Sequence, residues 1–128
     1  AETDWGTVVQ RRVRTEPADR GGWSIFHTYG SSLAYLNPAV SSLVKGPGAA
    51  GWFGWYDSPV MQESIQAWFD APDAARQKAL ADEINKRAQD DVATIPLGQF
   101  RIRSAWRRSI TGLAEGSMPY PWGVRLAG

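Results

Sequence analysis

Cysteine is absent from this sequence, histidine occurs once, and neither sign of charge dominates. Without cysteine there is no disulfide, no thiolate nucleophile and no Cys-ligated metal. The lone histidine, His27, has no second soft ligand with which to share a metal ion. A net charge of +1 makes a poor electrostatic footprint for nucleic acid or an anionic membrane, so neither is an expected partner. No apolar run approaches the roughly 20 residues of a membrane-spanning helix. The first residues, Ala1 to Asp4, show neither a basic n-region nor an apolar h-region, so no signal peptide is expected in this chain.

Apolar residues make up 43% of 128 positions, which argues for one folded unit with a modest core rather than a disordered chain. Seven tryptophans stand out in so short a chain. Each offers a large apolar body and one N–H donor, so they suit cores and cleft walls alike.

Local patterns divide the chain. Asp4 is a plausible N-cap for a short helix to Val13, with Trp5, Val8 and Val9 near helical spacing. Arg14 to Gly22 reads as a loop. Trp23 to Tyr29 is β-branched and aromatic after a Gly-Gly break and reads as a strand. Asn37-Pro38 marks a turn, Ala39 to Val44 has room for one or two helical turns, and Lys45 to Gly51 has the composition of a flexible connector. Ser58-Pro59 opens a helix with Met61, Ile65, Trp68 and Phe69 on one face, which stops before Pro72. A second, amphipathic helix spans about Pro72 to Asp91, with Leu80, Ile84 and Ala88 spaced by four. Thr94 to Phe100 reads as extended, and Pro96 makes it an edge or crossing strand.

No catalytic constellation emerges. Ser24, Ser31 and Ser32 lie near His27 but lack a nucleophile-elbow glycine pattern. The carboxylate pairs Asp70/Asp73, Asp82/Glu83 and Asp90/Asp91 sit at helix ends or on a polar helix face, without the apolar enclosure a general acid needs. Arg101, Arg103, Arg107 and Arg108, interleaved with Phe100 and Trp106, read as a solvated surface whose arginine stems cover apolar area. The cluster Gly51 to Tyr56 could stack on a flat or sugar-like ligand, or staple the helix that starts at Ser58. Thr28 to Ser32 follows the expected strand. Strand ends are where open α/β sheets hold ligands, although an ordinary polar turn fits equally well.

Asp73-Ala74-Ala75-Arg76, the helix after it, Gln89-Asp90-Asp91-Val92-Ala93 and Ile95-Pro96-Leu97 together resemble the closing section of the family 5 extracellular solute-binding proteins. These are the dipeptide-, oligopeptide-, nickel- and haem-binding periplasmic components of ABC importers. Gly22-Trp23-Ser24-Ile25-Phe26 and the later Asn37-Pro38 are similar to that family's strand, cleft loop and turn.

The resemblance implies an α/β fold, as the C-terminal part of a two-lobed type II periplasmic-binding-protein architecture. Residues 1–94 would belong to the second lobe, and 95–128 would form a crossing strand and tail toward the first. It implies no enzyme activity and no cofactor. It also implies capture of peptides or related solutes in the periplasm for an inner-membrane permease, with His27, Thr28, Tyr29, Gly30 and Ser31 facing the ligand. Peptide-binding members carry an Asp in that loop, whereas no acidic residue occurs from Gly21 to Tyr56 here. Haem, a metal chelate, an opine or a sugar is therefore an alternative cargo, and a stand-alone interaction domain is an alternative class. Such a closing section would leave an apolar face uncovered, and oligomerisation is one way to cover it.

Overall fold

The computed structural model describes residues 3–116 and 120–127. Its regular elements are α1 (Trp5–Arg11), α2 (Pro59–Phe69), α3 (Ala74–Asp90) and a two-residue antiparallel ladder of β1 (Ile110–Thr111) with β2 (Arg125–Leu126).

Each helix begins where a side chain can satisfy its orphan N–H groups. The Asp4 carboxylate accepts the Thr7 N–H at 3.0 Å and the Thr7 hydroxyl at 2.6 Å. These two bonds, the hydroxyl's foremost, hold the Asp4 carboxyl below its ordinary range. Ser58 caps α2 through the Met61 N–H, and Pro59 takes the first helical position, where no N–H is needed. Asp73 caps α3 through the Arg76 N–H at 2.8 Å. Such caps are worth about 1 kcal/mol apiece.

The segment from Asp70 to Asp73 turns α2 into α3, so the two helices form a hairpin. Met61 and Ile65 of α2 meet Ile84 and Ala88 of α3 in the core, with Val44, Tyr56, Trp68 and Ala93 packed around it. Leu80, one turn before Ile84, is buried too. The four-residue spacing of Leu80, Ile84 and Ala88 therefore marks the buried stripe, as the sequence indicates.

The chain at 45–58 is tied down rather than flexible. Gly48 N–H donates to the Tyr56 carbonyl at 2.9 Å and Ser58 N–H to the Gly46 carbonyl at 3.0 Å, while Pro47 and Asp57 form a bridge. Gly48 is buried at φ +61°, where a side chain would be strained and would crowd the Asp57 carboxyl. Glycine and proline here serve a tight turn, which composition alone does not distinguish from a linker. The helical turns expected at 39–44 are instead a turn in which the Asn37 side chain accepts the Ala39 and Val40 N–H groups. A short 3-10 turn forms earlier, at Ser32–Tyr35.

The expected strand at 23–29 does not form. That stretch belongs to no ladder, and its aromatic side chains pack sideways instead: Trp23 meets Phe26 edge-on at 4.7 Å and Trp55 at 6.0 Å. Residues 94–106 are likewise without assigned structure, and the described residues give their backbone no hydrogen-bond partner. An extended sequence forms a strand only beside another strand, and no such neighbour lies within the described residues.

The surface carries the consequence. The chain exposes 10148 Å², whereas a compact monomer of this size exposes about 6,700 Å². Ile25, Leu36, Leu97, Ile102, Trp122 and Leu126 are among the large apolar side chains left in solvent.

Two predictions concern the core. Ile84→Ala should cost about 2–5 kcal/mol, read as a lower urea midpoint for loss of helical circular dichroism; a loss under about 1 kcal/mol would contradict the packing. Burial first, and then donation to the Asp91 carboxylate at 2.5 Å, raise the Tyr56 phenol above its ordinary value. The folded state thus favours neutral Tyr56. Its contribution is present below the unfolded phenol pKa of about 10 and is lost as pH rises through the folded value. Melting temperatures should fall more steeply in that alkaline window for wild type than for Tyr56→Phe.

Candidate ligand-facing surface

The segment from Gly21 to Ser31 is held at its start by the end of α1. The Arg11 guanidinium donates to the Gly22 carbonyl at 2.8 Å and 3.1 Å, and to that of Gly21 at 3.3 Å. Trp23 returns the contact, its indole N–H donating to the Arg12 carbonyl at 3.0 Å. That carbonyl belongs to the C-cap of α1, so an orphan acceptor of the helix end is satisfied. Gly22 is buried against the preceding loop: a Cβ there would lie 1.6 Å from the Glu16 carbonyl oxygen. Only glycine allows that approach.

Arg12 forms the other anchor. Its guanidinium lies 4.5 Å from the Phe53 ring centre, 5.1 Å from that of Trp52 and 5.7 Å from that of Trp5. A cation against several ring faces is attracted by their quadrupoles, and more strongly where water is excluded. The expected role of Trp52, Phe53 and Trp55 as a staple for α2 gives way to these contacts. Trp52 and Phe53 gather around Arg12 while Trp55 meets Trp23, and from this cluster Tyr56 packs on the α2–α3 core. A turn with Gly54 at φ +109° and Trp55 at φ +49° separates the two directions.

The five residues expected to face a ligand lie together on this anchored stretch. His27, Tyr29 and Gly30 are exposed, and Thr28 and Ser31 are half-buried. Tyr29 meets Trp5 of α1 and Phe100 of the distant segment after α3, both at 5.9 Å. Gly30 lies under the Tyr35 ring, whose hydroxyl would sit 2.6 Å from a Cβ at position 30. The only hydrogen bond these five residues make among the described residues is from the Ala34 N–H to the Ser31 carbonyl. Their side-chain donors and acceptors are thus available to a ligand.

Lys45 donates to the Ala39 carbonyl at 2.9 Å, and the stretch from Gly21 to Tyr56 contains no carboxylate of its own. Arg11 and Arg12 were not visible as site-forming residues in the sequence. Two adjacent arginines near the end of a helix carry no periodic or motif signal, and their partners lie 7 to 41 residues away.

Enclosure is slight. A cleft of about 50 Å³ lies among Ser42, Leu43, Lys45, Trp52, Phe53 and Tyr56, enough for water but well below the roughly 300 Å³ of a small-molecule pocket. A wide groove of about 580 Å³ runs beside Gln89, Val92 and Ile95, where the chain leaves α3. The chain therefore offers a wall rather than a closed pocket. Among the described residues no group of His, Asp and Glu is arranged to hold a metal ion, and no helix is long and apolar enough to cross a membrane.

No family model matches the chain. Over 127 residues it is 33% identical to a probable peptide ABC transporter periplasmic-binding protein of Sinorhizobium fredii. The alignment takes in 99% of this chain and 24% of that relative, so the chain spans about a quarter of the relative's length.

The anchoring role of Arg12 can be measured. Arg12→Met keeps the aliphatic stem and removes the charge. It should cost about 1–2 kcal/mol and shift tryptophan emission, because Trp5 and Trp52 lose their shared contact. Unchanged stability and emission would show that the three ring contacts carry no weight.

Proposed function

We propose that this chain is the C-terminal part of the second lobe of a two-lobed solute-binding protein, together with the tail that returns to the first lobe. In that reading the protein captures peptides or related small solutes in the periplasm and delivers them to the permease of an ABC importer. The observation that carries it is the 33% identity over 127 residues to a probable peptide ABC transporter periplasmic-binding protein. The open surface supports it independently. Ile25, Leu97, Phe100 and Ile102 are left to solvent on a chain that exposes about half as much area again as a compact monomer. A second body that covers them resolves that excess.

The mechanism follows from one wall being insufficient. Solute would rest against residues 27–31 and be enclosed when the other lobe closes over it. Closure is favoured only to the extent that solute binds the closed form more tightly than the open form. The permease would then read the closed form. The chain's own contribution is to hold the wall rigid through Arg11, Arg12 and Gly22, so that little ordering cost falls on binding.

The absence of a carboxylate between Gly21 and Tyr56 favours a second reading of the cargo. A peptide's ammonium would have to find its counter-charge on another part of the protein. Haem, a metal chelate, an opine or a sugar would make no such demand on this wall. A stand-alone interaction domain that binds a partner through its aromatic and arginine-rich surface is the second class of reading; it predicts that the upstream gene sequence contains no longer open reading frame with a signal peptide.

Isothermal titration separates these readings. The longer protein that this proposal requires should bind a solute from a panel of peptides, opines, sugars and haem, and the 128-residue chain alone should bind none of them measurably. Tight binding by this chain alone would overturn the half-site claim, and binding of none by the longer protein would overturn the proposed role.

A further inference from the structure

The segment after α3 alternates in a way its surroundings do not use. Phe100, Ile102 and Trp106 occupy even positions and are 67%, 71% and 59% exposed. Arg101, Arg103 and Arg107 occupy odd positions beside them, exposed as well. In a strand successive side chains point to opposite faces, so as a strand this stretch would present one apolar face and one arginine face. The described residues offer the backbone of 94–106 no hydrogen-bond partner, and none of the three arginines pairs with a carboxylate among them. Unpaired backbone, largely exposed apolar side chains (only Phe100 has a ring neighbour among the described residues, Tyr29) and unpaired cations therefore coincide on one stretch without assigned secondary structure.

We propose that residues 99–107 add as a strand to an exposed sheet edge whose outward face is acidic. The neighbouring edge would supply backbone partners and cover Phe100, Ile102 and Trp106. Its carboxylates would stand opposite Arg101, Arg103 and Arg107. The proposal rests on the reading above that a further body covers this segment, and it specifies that body's chemistry.

The charge pattern selects the occupant. A second copy of the same strand could pair with it antiparallel. The three registers of greatest overlap that keep the apolar residues on one face set arginine against arginine: Arg103 opposite Arg103, Arg101 opposite Arg107, or Arg101 opposite Arg103. Like charges directly opposite one another are destabilising, and edge charges are a common device against self-pairing. An acidic neighbour converts the same positions into favourable cross-strand pairs.

The test supplies an acidic edge of the same shape. The triple variant Arg101→Glu, Arg103→Glu, Arg107→Glu is mixed with the wild-type chain and followed by sedimentation velocity, with no solute present. The mixture should associate roughly tenfold or more tightly than either protein alone, weaken in high salt, and lose association when Ile102→Asp is placed in the wild-type partner. A synthetic peptide of residues 98–108 carrying the same three glutamates needs no folding, and should show the same preference over the unaltered peptide. A mixture no tighter than the separate proteins, or association that survives Ile102→Asp, would overturn the proposal. Failure here would leave solute capture by the longer protein standing, and failure of solute binding would leave the strand pairing standing.

Discussion

The packing of Met61 and Ile65 on Ile84 and Ala88 is the interaction on which the rest of the structure depends. It is a small core for a chain of this length. It fixes the α2–α3 hairpin, and the hairpin fixes what leaves it at either end. Tyr56, joined to Asp91, holds the loop that enters α2 against the residue that caps α3. That loop carries Trp52 and Phe53 to Arg12, and Arg12 carries the end of α1. The wall at 21–31 is therefore positioned through a relay of local contacts, not by a sheet. Each link is worth little alone, so the wall is only as firm as the core behind it.

The same smallness explains the surface. Among the described residues five hydrophobic ones are buried, while a longer roll of tryptophan, isoleucine and leucine stays in solvent. Single exposed hydrophobics are ordinary, but a chain so open, with a backbone stretch that pairs with nothing described, is not. The account offered for this is a covering body, which also matches the chain's likeness to a quarter of a periplasmic-binding protein. In that account openness and function have one cause: a wall that must meet a second lobe leaves its meeting faces uncovered.

The helices were legible in the sequence because their signals are local. Asp4, Ser58-Pro59 and Asp73 each cap the helix they precede, and Leu80, Ile84 and Ala88 mark the buried stripe without reference to any distant residue. The stretch at 23–29 was misread because β-branched and aromatic residues suit side-chain clustering as well as a ladder, and only a neighbouring strand decides between them. Lys45 to Gly51 was misread because glycine and proline mark tight turns and linkers with the same composition. The proposed ligand-facing residues His27 to Ser31 come from resemblance alone and, being consecutive, lie together in any fold. The arginines that hold that surface could not be named, since Arg11 and Arg12 act across long sequence separations.

The central claim is that this chain is a wall completed by a further body. Amide hydrogen exchange on the 128-residue chain and on the longer protein, both without solute, tests it most directly. The account predicts that residues 94–106 exchange at nearly unprotected rates in the chain alone and become protected in the longer protein, while α2 and α3 are protected in both. Equal exchange of residues 94–106 in the two proteins would contradict it.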